Sequence, residues 1–129
     1  MSDSAPLVYV DVSDVRDGAL EELKGAFERL VEFVEANVPE ALFYGVYLSP
    51  DGRRVTVVHA HPAPRSLERH LEAGSATFRS FADLLTLRSI RVYGEPSEKA
   101  IELIGRKAEA LGCDDVEVQD AHAGFRRPP

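Results

Sequence analysis

A single α+β domain built on an antiparallel sheet is predicted by three observations. Short β-prone runs and helical stripes follow one another in the order strand, helix, strand, strand, helix, strand. The two central runs are joined by tight-turn residues. The chain has 129 residues, 44% of them hydrophobic, which is enough to fill one core.

The elements come in order. "LVYVDVS" (7–13) sets Val8, Val10 and Val12 on one face and Leu7, Tyr9 and Asp11 on the other, the period of a strand. Asp17 reads as the cap of a helix whose stripe is Leu20, Leu23, Phe27, Leu30, Val31, Val34 and Val38, with Glu21 and Glu22 in its opening turns and Pro39 ending it. "ALFYGVYLS" (41–49) and "RRVTVVHAH" (53–61) form a hairpin around Pro50, Asp51 and Gly52. Pro62 and Pro64 break the strand, and "SLERHLEAG" (66–74) reads as a short helix capped by Ser66 and stopped near Gly74. "SATFRSFADLL" (75–85) places Phe78, Phe81, Ala82 and Leu85 at helical spacing. "TLRSIRVYG" (86–94) then alternates Leu87, Ser89, Arg91 and Tyr93 against Arg88, Ile90 and Val92. Pro96 suits the first turn of a further helix with the stripe Ala100, Ile101, Ile104, Ala108 and Leu111, ended by Gly112. "DVEVQDA" (115–121) is a weaker fifth strand, and "RRPP" a loose tail.

This order is the ferredoxin-like βαββαβ arrangement, in which helices cover one face of the sheet. Both hairpin runs are apolar on both faces, so the other face needs its own cover. Leaving it in water would forfeit about 25 cal/mol for each Å² of apolar area. A second copy of the same sheet is the economical cover, and a homodimer is expected.

The stretch "SLERHLEAGSATFRSFADLLTLRSIRVYG" resembles the second half of antibiotic biosynthesis monooxygenase domains, and "LEELKGAFERLVEFVEANVPEALFYGVYLS" with its hairpin resembles the first half. The resemblance covers residues 7–94 and rests on order, length and apolar pattern. It implies a dimeric α+β barrel with a ligand cavity between sheet and helices. Residues 95–122, a helix and a strand, extend this core within one domain of residues 1–129, and 123–129 form the tail. Members of the family include cofactor-free monooxygenases of aromatic polyketides and haem-degrading enzymes, whose well-known examples use an asparagine and a tryptophan in the pocket. This chain has no tryptophan.

Composition narrows the function. With 15 basic and 22 acidic residues the formal net charge is −7, which argues for a soluble chain and against a nucleic-acid partner. No apolar run approaches the roughly 20 residues that span a bilayer, and "MSDSAPL" lacks the basic and apolar regions of a signal peptide. Cys113 is the single cysteine and cannot form an intrachain disulfide, so the cytoplasm is the expected location.

The candidate site residues cluster around "VTVVHAHPAPRSLERHLEAG" (55–74), which holds three of the four histidines. His59 and His61, two apart on a strand, leave the same face about 6.5 Å apart. His59 lies mid-strand among valines, where burial would keep it neutral, and is the candidate general base. His61, before Pro62 at the strand end, is expected to be half exposed and an accessory. His70, beside Glu68, Arg69 and Glu72, is expected on a helix surface. The spacing permits a metal held by His59, His61 and His70 without requiring one, and no metal or other cofactor is assigned. Tyr44 and Tyr47 are further catalytic candidates on opposite faces, so one at most lines a given cavity. Phe78 and Phe81 would line a ligand pocket, although phenylalanines at that spacing more often belong to a core. Arg88 and Arg91, on opposite faces of their strand, would bind an anion or pair with acids. Cys113 stands beside Asp114 and Asp115, an acidic setting that does not activate a thiolate.

The preferred functional reading is a small homodimeric binding or interaction module. The alternative is a cofactor-independent monooxygenase or related enzyme, acting on a small aromatic or conjugated substrate deprotonated by His59 or a tyrosine. The third is a histidine-based metal-binding protein.

Overall fold

The structure, a computed structural model, describes residues 6–127. Most of the polar start and the last two residues of the tail therefore lie outside the described residues. The elements are β1 (Leu7–Val15), α1 (Leu20–Asn37), β2 (Phe43–Leu48), β3 (Arg54–His61), α2 (Pro64–Gly74), α3 (Phe78–Phe81), β4 (Leu85–Tyr93), α4 (Glu98–Ala110) and β5 (Val116–Gln119).

The sheet runs β2-β3-β1-β4-β5. Its first four strands are antiparallel and reproduce the ferredoxin-like order, while β5 lies parallel to β4 after the α4 crossover. The register decides which residues face the helices. Tyr9 stands opposite His59, and His59 opposite Tyr44, so these three side chains form one row across three strands on the same face. Leu7, Tyr9, Asp11 and Ser13 of β1, and Val55, Val57, His59 and His61 of β3, are all buried there. The helices close over them with Leu23, Phe27 and Val34 of α1, Leu67, His70 and Leu71 of α2, and Ala100, Ile104 and Ala108 of α4. The opposite sheet face keeps Val8, Val10 and Val12 half-buried and Phe43, Tyr47 and Tyr93 exposed.

Four local expectations are corrected. Asp17 does not cap α1, which starts two residues after Gly18 with Ala19 before it and no side-chain cap. Ser66 lies inside α2, because Pro64, with its fixed φ and missing N–H, takes the first helical position instead. Residues 75–84 contain only the four-residue α3, and Leu85 already opens β4. There the Ser75, Thr77 and Ser80 hydroxyls donate to the Glu72, Gly74 and Thr77 carbonyls, local bonds that compete with a longer helix. Pro96 lies before α4 rather than in its first turn, and Ser97 caps the helix, its hydroxyl accepting from the Ala100 N–H.

In β4 a bulge breaks the predicted alternation. Val12 pairs with Ser89 and Ser13 with Leu87, which leaves Arg88 as the extra residue. Leu87 and Ile90 thereby both face the helices and Arg88 is carried away from them, while Arg91, between buried Ile90 and Val92, points to the other face by ordinary alternation. Among the described residues no helix is long and apolar enough to cross a membrane.

Candidate functional site

The pocket lies between the sheet and all four helices. Its polar wall is Asp11, Tyr44, His59, His70 and Lys107, and its apolar wall includes Phe27, Val57, Phe78, Phe81, Leu85 and Leu87. The space, mouth included, is about 500 Å³, but its enclosed part is only about 40 Å³, room for a few waters. A ring-sized occupant therefore requires side chains such as Phe78 to yield.

Three histidines meet at one end. His59 and His61 point to the same face because they are two apart on β3, and α2 brings His70 down onto them. His59 is stacked with Tyr9 at 4.3 Å and with His70 at 3.9 Å between ring centroids, and Tyr44 lies parallel to it at 5.5 Å. His59, His61 and His70 are 1%, 0% and 6% exposed. Two expectations fail here. His61 is not half exposed, since β1 and α2 cover the strand end, and His70 is not on a helix surface, since Leu67, His70, Leu71 and Gly74 form the buried stripe of α2.

Burial favours the uncharged form of each ring. It holds His59 well below the ordinary histidine range, with His70, His61 and Lys107 adding to the effect. Burial lowers His61 to about 4, weakly opposed by Glu40, and lowers His70 to about 3 with help from Lys107 and His61. Burial also raises the Tyr9 and Tyr44 phenols, assisted by the charge of Asp11, so both stay protonated.

A hydrogen-bonded chain links Ser66 Oγ to His61 Nδ1 at 2.5 Å and His61 Nε2 to His59 Nδ1 at 2.7 Å. Two proton arrangements satisfy it. If each ring donates toward Ser66, His59 Nε2 carries a free lone pair and is a base. If the Ser66 hydroxyl donates inward, His59 Nε2 carries a proton and is an acid. His70 Nδ1 is buried without a partner.

The second polar group joins β1 to α4. Tyr9 donates to Asp11 Oδ2 at 2.8 Å, and Lys107 Nζ donates to the Tyr9 hydroxyl at 2.7 Å and to Asp11 Oδ2 at 3.0 Å. Lys107 and Asp11 are 12% and 6% exposed in their side chains. Sequence reasoning missed Tyr9, Asp11, Ser66 and Lys107. The available signals were an acid inside an otherwise apolar strand face, and a lysine three residues after Ile104 within the apolar stripe of α4.

Of the predicted site residues, the structure brings His59, His70, Tyr44, Phe78 and Phe81 to the pocket, with His61 directly behind His59. Tyr47 is exposed on the other sheet face. Arg88 does not reach the pocket and pairs with Asp14 at 2.6 Å, and Arg91 pairs with Asp115 at 3.0 Å and with Glu117 at 3.7 Å. The expected opposition of the two arginines is removed by the bulge. The donor atoms of His59, His61 and His70 lie within 4.8 Å of one another, close enough to be drawn onto a metal. However, nitrogens on a tetrahedral zinc are about 3.4 Å apart, given Zn–N bonds of about 2.1 Å. The 2.7 Å between His59 and His61 is the spacing of a shared proton.

No family model and no curated protein matches the chain. Solved structures do. MupZ from Pseudomonas fluorescens superposes with a TM-score of 0.76 at 18% identity over 97% of each chain, a span that includes the C-terminal extension. Rv0793 from Mycobacterium tuberculosis gives 0.61 at 17% identity, covering 73% of this chain and 98% of its own. A "putative antibiotic biosynthesis monooxygenase" from Caulobacter crescentus gives 0.54 at 21% identity, covering 70% of this chain and 89% of its own. The chain thus has the ferredoxin-like fold of antibiotic biosynthesis monooxygenase domains, with a C-terminal helix and strand added to it.

Proposed function

We propose that the chain binds a small organic molecule in the pocket between sheet and helices and moves a proton on it, with His59 as the base. One observation carries this reading in preference to a purely structural or interaction module. The Ser66–His61–His59 chain ends at a pocket that also presents Tyr44, His70 and the Asp11–Lys107 pair. A fold needs no such array for stability, because buried polar groups cost free energy unless each is matched. Proton abstraction breaks an O–H or C–H bond of the ligand, forms an N–H bond on His59 Nε2 and leaves the electron pair on the ligand. The array supports this step, and the developing negative charge itself favours protonation of a ring that burial otherwise keeps neutral. Monooxygenation, in which such an anion would go on to react with dioxygen, is the more specific form suggested by the fold neighbours.

We further propose a homodimer joined through the exposed sheet face, working in the cytoplasm. The apolar residues left on that face support the first, and the acidic charge and the lone cysteine support the second.

The test is histidine-detected NMR with 2-naphthol, a small conjugated hydroxyl compound. Binding is expected to shift the ring signals of His59 and His70, and His59→Asn is expected to abolish the shift in the ring proton that reports transfer. An unchanged spectrum at saturating naphthol would refute the reading.

A further inference from the structure

Lys107 is the only lysine or arginine among the residues lining the pocket, and it comes from α4, outside the βαββαβ core. Its ammonium has three N–H groups. One donates to the Tyr9 hydroxyl and one to Asp11 Oδ2, and the third has no acceptor among the described residues. The ammonium also lies 4.8 Å from the centre of the Phe78 ring and 4.9 Å from that of Tyr9, so aromatic faces hold it where water is scarce. Asp11 balances its charge, and the histidines and tyrosines around it are neutral. The pocket wall is then neutral in sum but polarised, holding a cationic donor and a neutral base together. Such a wall disfavours a ligand that arrives as an anion, because one unmatched charge would be buried. It suits a neutral ligand that becomes anionic only after losing a proton to His59.

We propose that Lys107 is the oxyanion-holding residue of this pocket, and that the ligands are neutral molecules with an acidic hydroxyl or an enolisable carbonyl, whose oxygen accepts the third Lys107 N–H. The proposal rests on the pocket being a ligand site with His59 as its base. The ligand's O–H or C–H bond breaks, its proton forms an N–H bond on His59, and the electron pair stays on the ligand with the negative charge resting on oxygen against Lys107. No electron is lost or gained.

Two probes separate this inference from the reading beneath it. 4-Nitrophenol has an acidic hydroxyl and an absorbance that reports its ionisation, while 4-nitroanisole has the same ring and no such proton. The full chain is expected to bind both, with the phenolate band of 4-nitrophenol enhanced on binding. In the Asp11→Asn/Lys107→Met double variant, which removes both charges together, nitroanisole affinity is expected to hold within about twofold. Nitrophenol affinity is expected to fall roughly tenfold or more, the effect of losing a charge-assisted hydrogen bond, and the phenolate band to disappear. Lys107→Arg, which keeps the charge, is expected to retain the band. Equal nitrophenol binding by the double variant overturns the role of Lys107 and leaves the pocket reading standing. Loss of both probes in the double variant makes Lys107 a structural residue and also overturns it. Failure of the unaltered chain to bind either probe overturns both.

Discussion

His59, His61 and His70 share a cost that their surroundings explain. Each would be protonated in the unfolded chain below its ordinary value of about 6.5, yet burial keeps each neutral in the folded chain to a lower pH, with His61 held to about 4 and His70 to about 3. The folded-state values are depressed, so the stability is intact above pH 6.5 and is lost as pH falls toward the folded values. Each histidine contributes a slope of up to about 1.4 kcal/mol per pH unit in that window. Urea titrations across pH 8 to 4 are expected to show a plateau and then a steep decline, and His70→Leu is expected to flatten the decline by one histidine's share. A profile unchanged between pH 7 and 5 would contradict the buried neutral cluster. At this scale the sequence was legible for His59, whose neighbours on the strand are valines, and misleading for His70. Glu68, Arg69 and Glu72 make its segment look polar, but Leu67, His70 and Leu71 share the stripe that turns inward.

Among the elements, α4 changes the chemistry of the core. It brings Lys107 beside Tyr9 and Asp11, residues more than ninety positions earlier in the chain. Its ends are firmly made. The Ser97 hydroxyl caps its first turn, and Gly112, at φ +75°, closes it as Cys113 N–H bonds to the Ala108 carbonyl and Gly112 N–H to that of Glu109. Ser97→Ala is expected to lower stability by about 1 kcal/mol, measured by thermal unfolding. Because Lys107 lies well beyond the first turn, ligand affinity should move much less than stability, and a parallel loss of both would argue against a locally frayed cap. The helix and its stop were readable from the periodicity and Gly112. That its lysine turns inward was not, since an apolar stripe fixes which way a helix faces but not what lies opposite it.

For the molecule as a whole, the second sheet face governs assembly. Phe43, Tyr47 and Tyr93 are exposed on it, and Val8, Val10 and Val12 are only half-buried. Such a surface is costly in water and inexpensive against its own copy. Light scattering is expected to give a particle of twice the 14.2 kDa of one chain. Tyr47→Glu, which places a charge on that face without touching the pocket, is expected to shift it toward one chain. A monomeric unaltered chain would refute the dimer.

The sequence by itself determined the element order, the hairpin, the ferredoxin-like topology and the presence of a histidine at mid-strand, because periodicity and turn chemistry are local properties. Tertiary structure alone decided the rest. The bulge turned Arg88 out to Asp14, α2 folded back onto the sheet to put Ser66 against His61, and α4 crossed the core to bring Lys107 into the same pocket as His59. Each depends on which residues face one another across the core, and that is fixed by the bulge and by where the helices cross the sheet, which the alternation within one segment does not encode.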